Sequence, residues 1–264
     1  MNTKWPWFLP ESDTSNIEVL RNLVIDIGNT RTKAGVFESG ELLETKVFQS
    51  TEKSDLRVWA EQNQVEQAII SIVGQAPDAQ LMEWLDKSFY LLKLDWSTPL
   101  PFQNQYGTPK TLGKDRIAAV AGAWNRFPGC NSLVIDAGTC ITYDLITAEG
   151  IYPGGNISPG ISMRFKALEA FTAGLPLIAA GQTAQLTGNS TETAIRNGVQ
   201  FGVLWEIESA IYAFEAEWPE LNVLLTGGDA VFFEKKLKNC IFVVPNLVLE
   251  GLNKILIYNV ENPQ

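Results

Sequence analysis

The sequence predicts an α/β fold built from two duplicated halves, and three observations carry that reading. Short apolar runs rich in β-branched residues alternate with helical patterns along most of the chain. The run Leu23-Val24-Ile25-Asp26-Ile27-Gly28 returns as Leu133-Val134-Ile135-Asp136-Ala137-Gly138, and threonine and a second strand-like run follow each copy. The 264 residues, 45% hydrophobic and 19% charged, suffice for one large domain or two smaller ones with a core that needs no staples.

The elements follow in order. Residues 1–20 read as an extension: Trp5, Trp7 and Phe8 sit among Pro6 and Pro10, and a polar turn cluster follows. Leu23–Ile27 suits a buried strand, Gly28-Asn29 a turn, Thr30–Phe37 a second strand, and Ser39-Gly40 the next turn. A helix is expected over Asp55–Gln64, a strand over Ala68–Val73, and helices over Ala79–Ser88 and Lys114–Asn125. The turn-rich segment from Phe127 to Ser132 divides a first half, 21–131, from a second, 132–264. The second half opens with strands at Leu133 and at Ile141–Ile146. Helices over Ser162–Phe171 and Thr191–Glu217, an apolar strand at Val223–Leu225 and a helix over Leu247–Tyr258 complete it.

Composition removes whole classes of chemistry. There is no histidine, so Ser-His-Asp and Cys-His arrangements, His-ligated zinc and an imidazole base are all excluded. Acid–base work falls to carboxylates, lysine, tyrosine or thiols. Thirty acidic against twenty basic residues give a formal net charge of −10, which opposes phosphate backbones and anionic membranes, so no nucleic-acid or membrane partner is expected. Cys130, Cys140 and Cys240 form no Cys-x-x-Cys pair and read as reduced, mostly buried thiols of a cytoplasmic protein. No apolar run approaches the ~18 residues of a membrane helix, and the first residues lack the apolar stretch of a signal peptide.

The repeated strand–turn–strand units are where chemistry is expected. Backbone N–H groups around Gly28, Asn29 and Thr30 suit a phosphate, with the Thr30 hydroxyl and the Lys33 ammonium as further donors. Asp26 would face the same phosphates, which is repulsive unless Mg²⁺ lies between, held through its water. Asp136, Gly138 and Thr139 stand in the same relation in the second half. Two such hairpins, one from each half, would grip a nucleotide between them. No P-loop and no dinucleotide fingerprint occurs. Asp115 and Arg116 fall at a helix start, where carboxylates also serve as caps. Gly154 to Gly160 reads as a loop, either a ligand cradle or a structural turn. Thr226-Gly227-Gly228-Asp229 after Val223–Leu225 suits a flat group such as a nucleoside, or is a plain turn.

Together these segments resemble the type III pantothenate kinases of the actin-like, acetate and sugar kinase and heat-shock chaperone superfamily. The resemblance rests on Asp26 to Lys33, Gly113-Lys114-Asp115-Arg116, Asp136-Ala137-Gly138-Thr139, Gly154 to Gly160 and Thr226 to Asp229, and it leaves out the first twenty residues. It implies two duplicated ribonuclease H-like halves with the active site in the cleft between them. It implies ATP-dependent phosphorylation of pantothenate to 4′-phosphopantothenate, the first step of coenzyme A biosynthesis. By position, Asp26, Ile27, Gly28, Asn29, Thr30, Arg31, Thr32 and Lys33 would form the phosphate loop, with Thr139 also at ATP. Tyr106, Gly113, Lys114, Asp115, Arg116 and Thr191 would hold pantothenate, Asp115 as proton acceptor; Thr193 competes with Thr191. Asp136 would bind a monovalent cation, potassium or ammonium, beside the Mg²⁺ that accompanies ATP.

The resemblance also implies a homodimer, and the apolar stripe Ile195, Val199, Phe201, Leu204, Ile207 and Ile211 offers a surface for it unless it packs internally. Two alternatives belong to other classes: a kinase of the same fold acting on another small molecule such as a sugar, and a non-catalytic accessory factor. The presence of both Asp26 and Asp115 speaks against the second. Arg116 is expected to pair with a polar group or with the substrate carboxylate.

Overall fold

The computed structural model describes residues 20–28, 31–48, 53–74, 77, 79–182, 185–238 and 241–263. Asn29, Thr30, Cys240 and all but Leu20 of the expected extension lie outside these described residues.

Two mixed five-stranded sheets form the frame. The first contains β1 (Arg21–Ile27), β2 (Thr32–Glu38), β3 (Glu41–Phe48), β4 (Gln67–Ile72) and β5 (Tyr90–Lys93), in the order β3-β2-β1-β4-β5. A short parallel pair follows, β6 (Gln103–Asn104) with β9 (Ile151–Tyr152). The second sheet contains β7 (Ser132–Ala137), β8 (Cys140–Ile146), β10 (Gly154–Pro159), β11 (Asn222–Thr226) and β12 (Phe242–Val243), in the order β10-β8-β7-β11-β12. In both sheets the first three strands in sequence are antiparallel and the last two join in parallel. The repeat of Val-Ile-Asp is thus a repeat of topology.

The helices are α1 (Lys53–Gln62), α2 (Ala79–Ser88), α3 (Lys114–Arg126), α4 (Ile161–Ala170), α5 (Thr191–Glu217), α6 (Ala230–Glu234) and α7 (Leu247–Glu261). Five of the six expected helices start within one residue of prediction, and α1 starts two residues early. Gly154 to Gly160 is a correction: rather than a loop, Gly154–Pro159 is the edge strand β10, paired with β8 from Gly154–Leu145 to Pro159–Cys140, and Gly160 is the cap residue of α4. An edge strand with mostly exposed side chains carries no apolar alternation for sequence reading to detect.

Helices α3 and α7 fill the space between the sheets. Their core unites Val24 and Ile69 of the first sheet, Val134 and Leu224 of the second, and Ile117, Val120, Leu252 and Ile255 of the two helices. The small-residue run from Ile117 to Ala123 makes this crossing close. A β-carbon on Gly251 would stand 1.7 Å from the Ala118 carbonyl oxygen, and one on Gly122 would stand 2.4 Å from that of Leu247. Helix α7 packs against β1 and β4, and α3 against β7 and β8. The first sheet is therefore covered by a helix distant from it in sequence, and the second by the helix that immediately precedes it.

Two expectations change here. The stripe on α5 packs internally: Ile195, Val199, Ile207 and Ile211 are buried against Leu133, Ile135 and Leu225, because the second sheet needs an apolar cover on that face. The outward face of α5 carries different residues, Trp205 and Tyr212, at 53% and 74% exposure. Among the described cysteines, Cys130 is exposed and Cys140 half-buried, since one sits in the turn before β7 and the other at a hairpin tip.

Candidate active site

The two Asp-bearing strands end in hairpins of different tightness. In β1, Asp26 stands opposite Lys33 of β2 and Ser71 of β4. The loop beyond it closes with the Gly28 amide donating to the Arg31 carbonyl at 3.1 Å. In β7, Asp136 stands opposite Thr142 of β8 and Thr226 of β11. There the Gly138 amide donates to the Cys140 carbonyl at 2.9 Å, which leaves Thr139 exposed at the tip. The Thr226-Gly227-Gly228-Asp229 turn is tied to the same strand end, the Asp229 amide donating to the Ala137 carbonyl at 2.9 Å.

Three carboxylates crowd this cleft. Burial above all, then repulsion from Asp115, pushes Asp26 up to about 6. Burial, followed by Asp115, Asp26 and Asp144, pushes Asp136 up to about 7. Asp115 is also raised by burial, against the opposing hydrogen bond from the Arg116 amide. Lys33 faces this group with its ammonium lowered by burial and by Arg31, and its Nζ donates to the Pro245 carbonyl at 2.7 Å. Oδ1 of Asp26 is buried and has no hydrogen-bond partner. An orphaned carboxylate oxygen and mutually repelling acids fit cations, whose charge would relieve both. No trio of metal-ligating side chains stands together among the described residues, so this fit rests on Asp26 and Asp136 as separate sites.

Beside the carboxylates, helix α3 begins at Lys114 with Gly113 as its cap residue, which makes no side-chain capping bond. Asp115 in the first turn accepts the Arg116 amide at 2.9 Å, a local bond that an Asn would also make. Arg116 is 4% exposed. Its Nη2 donates to Oδ1 of the fully buried Asp144 at 2.6 Å, and its Nε lies 3.0 and 3.1 Å from the two Asp144 oxygens. The guanidinium carbon lies 5.4 Å from the centre of the Tyr106 ring, which stacks on Tyr152. Arg116 thus has a carboxylate partner within the protein, at two of its nitrogens.

The remaining residues divide clearly. The Ile27 side chain belongs to the first core, and its carbonyl accepts from the amides of Val73 and Gly74 at 2.9 and 3.2 Å. Arg31 and Thr32 flank the loop, with Arg31 Nη2 next to Gly228. Thr193 is spent on a capping box: its hydroxyl accepts from the amides of Asn189 and Ser190 at 3.0 Å each. Thr191 is exposed at the first position of α5 and shares no hydrogen bond with the Tyr106–Asp115–Arg116 group among the described residues. Sequence reading missed Asp144 and Tyr152. The available signal was a lone carboxylate inside the apolar run Ile141–Ile146, which demands a buried partner.

Comparison with known proteins adds to this geometry. A sequence model of the type III pantothenate kinase family matches residues 22–213. A type III pantothenate kinase from Christiangramia forsetii is 47% identical over 243 residues, covering 90% of this chain and 98% of its own. One from Bacteroides fragilis is 47% identical over 239 residues, with the same shares covered. Among solved structures, one from Campylobacter jejuni described as a Baf family transcriptional activator superposes with a TM-score of 0.58 at 23% identity. It spans 90% of this chain and 99% of that one. A glucokinase from an Antarctic psychrotroph superposes with a TM-score of 0.52 at 13% identity over the same shares, a likeness of fold.

Proposed function

The chain belongs to the type III pantothenate kinase family, and from that premise we propose which of its residues carry the reaction. ATP gives its γ-phosphoryl group to the primary hydroxyl of pantothenate, forming 4′-phosphopantothenate and ADP at the first step of coenzyme A biosynthesis. The observation that supports the assignment of roles is the meeting of Asp26, Asp115, Asp136 and Lys33 in one cleft of a chain without histidine.

Asp115 accepts the hydroxyl proton as the pantothenate oxygen bonds to the γ-phosphorus and the bond to the departing ADP oxygen breaks. Its raised affinity for protons suits a base that must take one late in a loose transition state. Tyr106, Gly113, Lys114 and Arg116 form the wall against which pantothenate lies, and Thr191 adds a hydroxyl that its neighbour Thr193 does not have to spare. The hairpin from Asp26 to Lys33, with Thr139 opposite, holds the phosphates of ATP. Mg²⁺ reached through water by Asp26, and K⁺ or NH₄⁺ at Asp136, would supply the neutralising charge that these acids and a triphosphate jointly require.

The chain acts as a homodimer in the cytoplasm in this proposal. The support is the exposed Trp205 and Tyr212 on one face of α5, and the absence, among the described residues, of any helix long and apolar enough to cross a membrane. A coupled ADP-release assay tests the reaction: pantothenate should stimulate ADP formation and sugars should not. Stimulation by a sugar alone would overturn the substrate.

A further inference from the structure

We propose that Asp144 is a positioning residue of the acceptor site, acting through Arg116; the inference rests on the pantothenate kinase reading above. Asp144 is fully buried in the middle of β8, where a carboxylate persists only if its charge and lone pairs are matched. Arg116 meets it along one edge through Nε and Nη2, and the Tyr152 hydroxyl donates to Oδ1 at 2.8 Å. A fork held at two nitrogens has a fixed plane. The fork's central carbon lies 5.4 Å from the centre of the Tyr106 ring, and Tyr106 stacks on Tyr152 with centroids 6.3 Å apart and planes 8° from parallel. The four side chains close a circuit in which Asp144 joins Arg116 to Tyr152.

Strand β10 is shaped to admit this circuit. Gly155 pairs with Asp144 across the sheet, and a β-carbon there would stand 1.9 Å from the Tyr143 carbonyl oxygen and 2.7 Å from Asp144 Oδ1. Gly154 has φ +132°, and its β-carbon would lie 3.1 Å from the Tyr106 ring. The glycine pair that suggested a ligand cradle is thus accounted for by the protein's own Tyr106 and Asp144. Arg116 follows Asp115 directly, so the group that anchors Arg116 also anchors the turn bearing the proton acceptor. Asp144 holds Nε and Nη2 and cancels the guanidinium's charge, and Tyr106 is a further hydrogen-bond partner, so Arg116 is fixed against the Tyr106 ring.

Steady-state kinetics on the full chain test this, with pantothenate and ATP varied separately for Asp144→Asn, Arg116→Met and the double variant. Asp144→Asn is expected to raise KM for pantothenate about 10–100-fold while KM for ATP stays within about twofold. In the double variant, where both buried charges are gone, KM for pantothenate should match that of Arg116→Met rather than multiply the two effects. Multiplying effects, a folded Asp144→Asn with unchanged KM for pantothenate, or a double variant with wild-type kinetics would each overturn the proposal. If Asp144→Asn does not fold, Asp144→Glu, which keeps the charge that matches Arg116, replaces it: raised KM for pantothenate alone supports the role, and wild-type KM refutes it. A wild-type chain that phosphorylates no pantothenate sinks the functional reading itself, whereas an active one with unaltered variants removes only Asp144.

Discussion

Asp26 and Asp136 occupy the same step of two equivalent strands, each flanked by one antiparallel and one parallel neighbour: Lys33 and Ser71 in one sheet, Thr142 and Thr226 in the other. Burial first and Asp115 next raise the proton affinity of both acids, and the loop following each is the one proposed to meet phosphate. The two halves therefore bring like charges together at the point where the proposal places the phosphates of ATP. That arrangement holds only with cations or protons supplied.

The first prediction concerns those protons. Asp136 binds a proton up to about 7 in the folded chain against 3.8 as the ordinary value, so the folded state holds more protons than the unfolded between those limits. Stability from this group is present in full below about pH 4 and is lost as pH rises through about 7. Asp136→Asn should therefore melt higher than wild type at pH 8 without ligands, and the difference should shrink toward pH 5. A difference independent of pH would contradict the buried, repelled state of this acid.

The same residue predicts a salt effect on rate. Wild type should work much faster in potassium than in sodium, and Asp136→Asn should lose that discrimination. Equal wild-type rates in the two salts would remove Asp136 as a cation ligand.

Asp115→Asn should keep the local bond to the Arg116 amide and leave the melting temperature nearly unchanged. Loss of the proton acceptor should lower kcat on the order of 10²–10⁴-fold, tempered by the late proton transfer of loose phosphoryl transfer. KM for pantothenate should move little. Near wild-type kcat would exclude the catalytic role; a raised KM with intact kcat would make Asp115 a holder of substrate.

Helix α5 offers Trp205 and Tyr212 to solvent along one face. Light scattering at micromolar concentration should give twice the chain mass, and Trp205→Glu should shift it to one chain without unfolding it. A wild-type mass of one chain would refute the dimer.

Gly251→Ala should be among the most damaging single substitutions, since the new methyl would meet the Ala118 carbonyl where α3 and α7 cross. Overpacking typically costs about 1–3 kcal/mol, and a backbone obstacle puts this substitution at the upper end, roughly 6–12 °C in melting temperature for a chain of this size. Gly107→Ala, with nothing within 4 Å, is the control.

Local patterning alone determined much of this protein. The apolar runs at Leu23 and Leu133 are strands because β-branched residues in short continuous blocks suit a buried sheet, and their repetition disclosed equivalent halves. Asp26 and Asp136 stood out because each stands in a copy of the repeated run, and Asp115 because the resemblance implies it as proton acceptor in a chain without histidine. Tertiary structure alone decided that Arg116 belongs to Asp144, 28 residues away, since a buried charge is matched by whatever the fold brings near and sequence spacing does not record it. It decided that Gly154 to Pro159 is an edge strand, that the α5 stripe serves the internal core, and that α7 covers the first sheet, remote from it in sequence. All of these are long-range contacts, and periodicity says which face of an element is apolar without saying what will cover it.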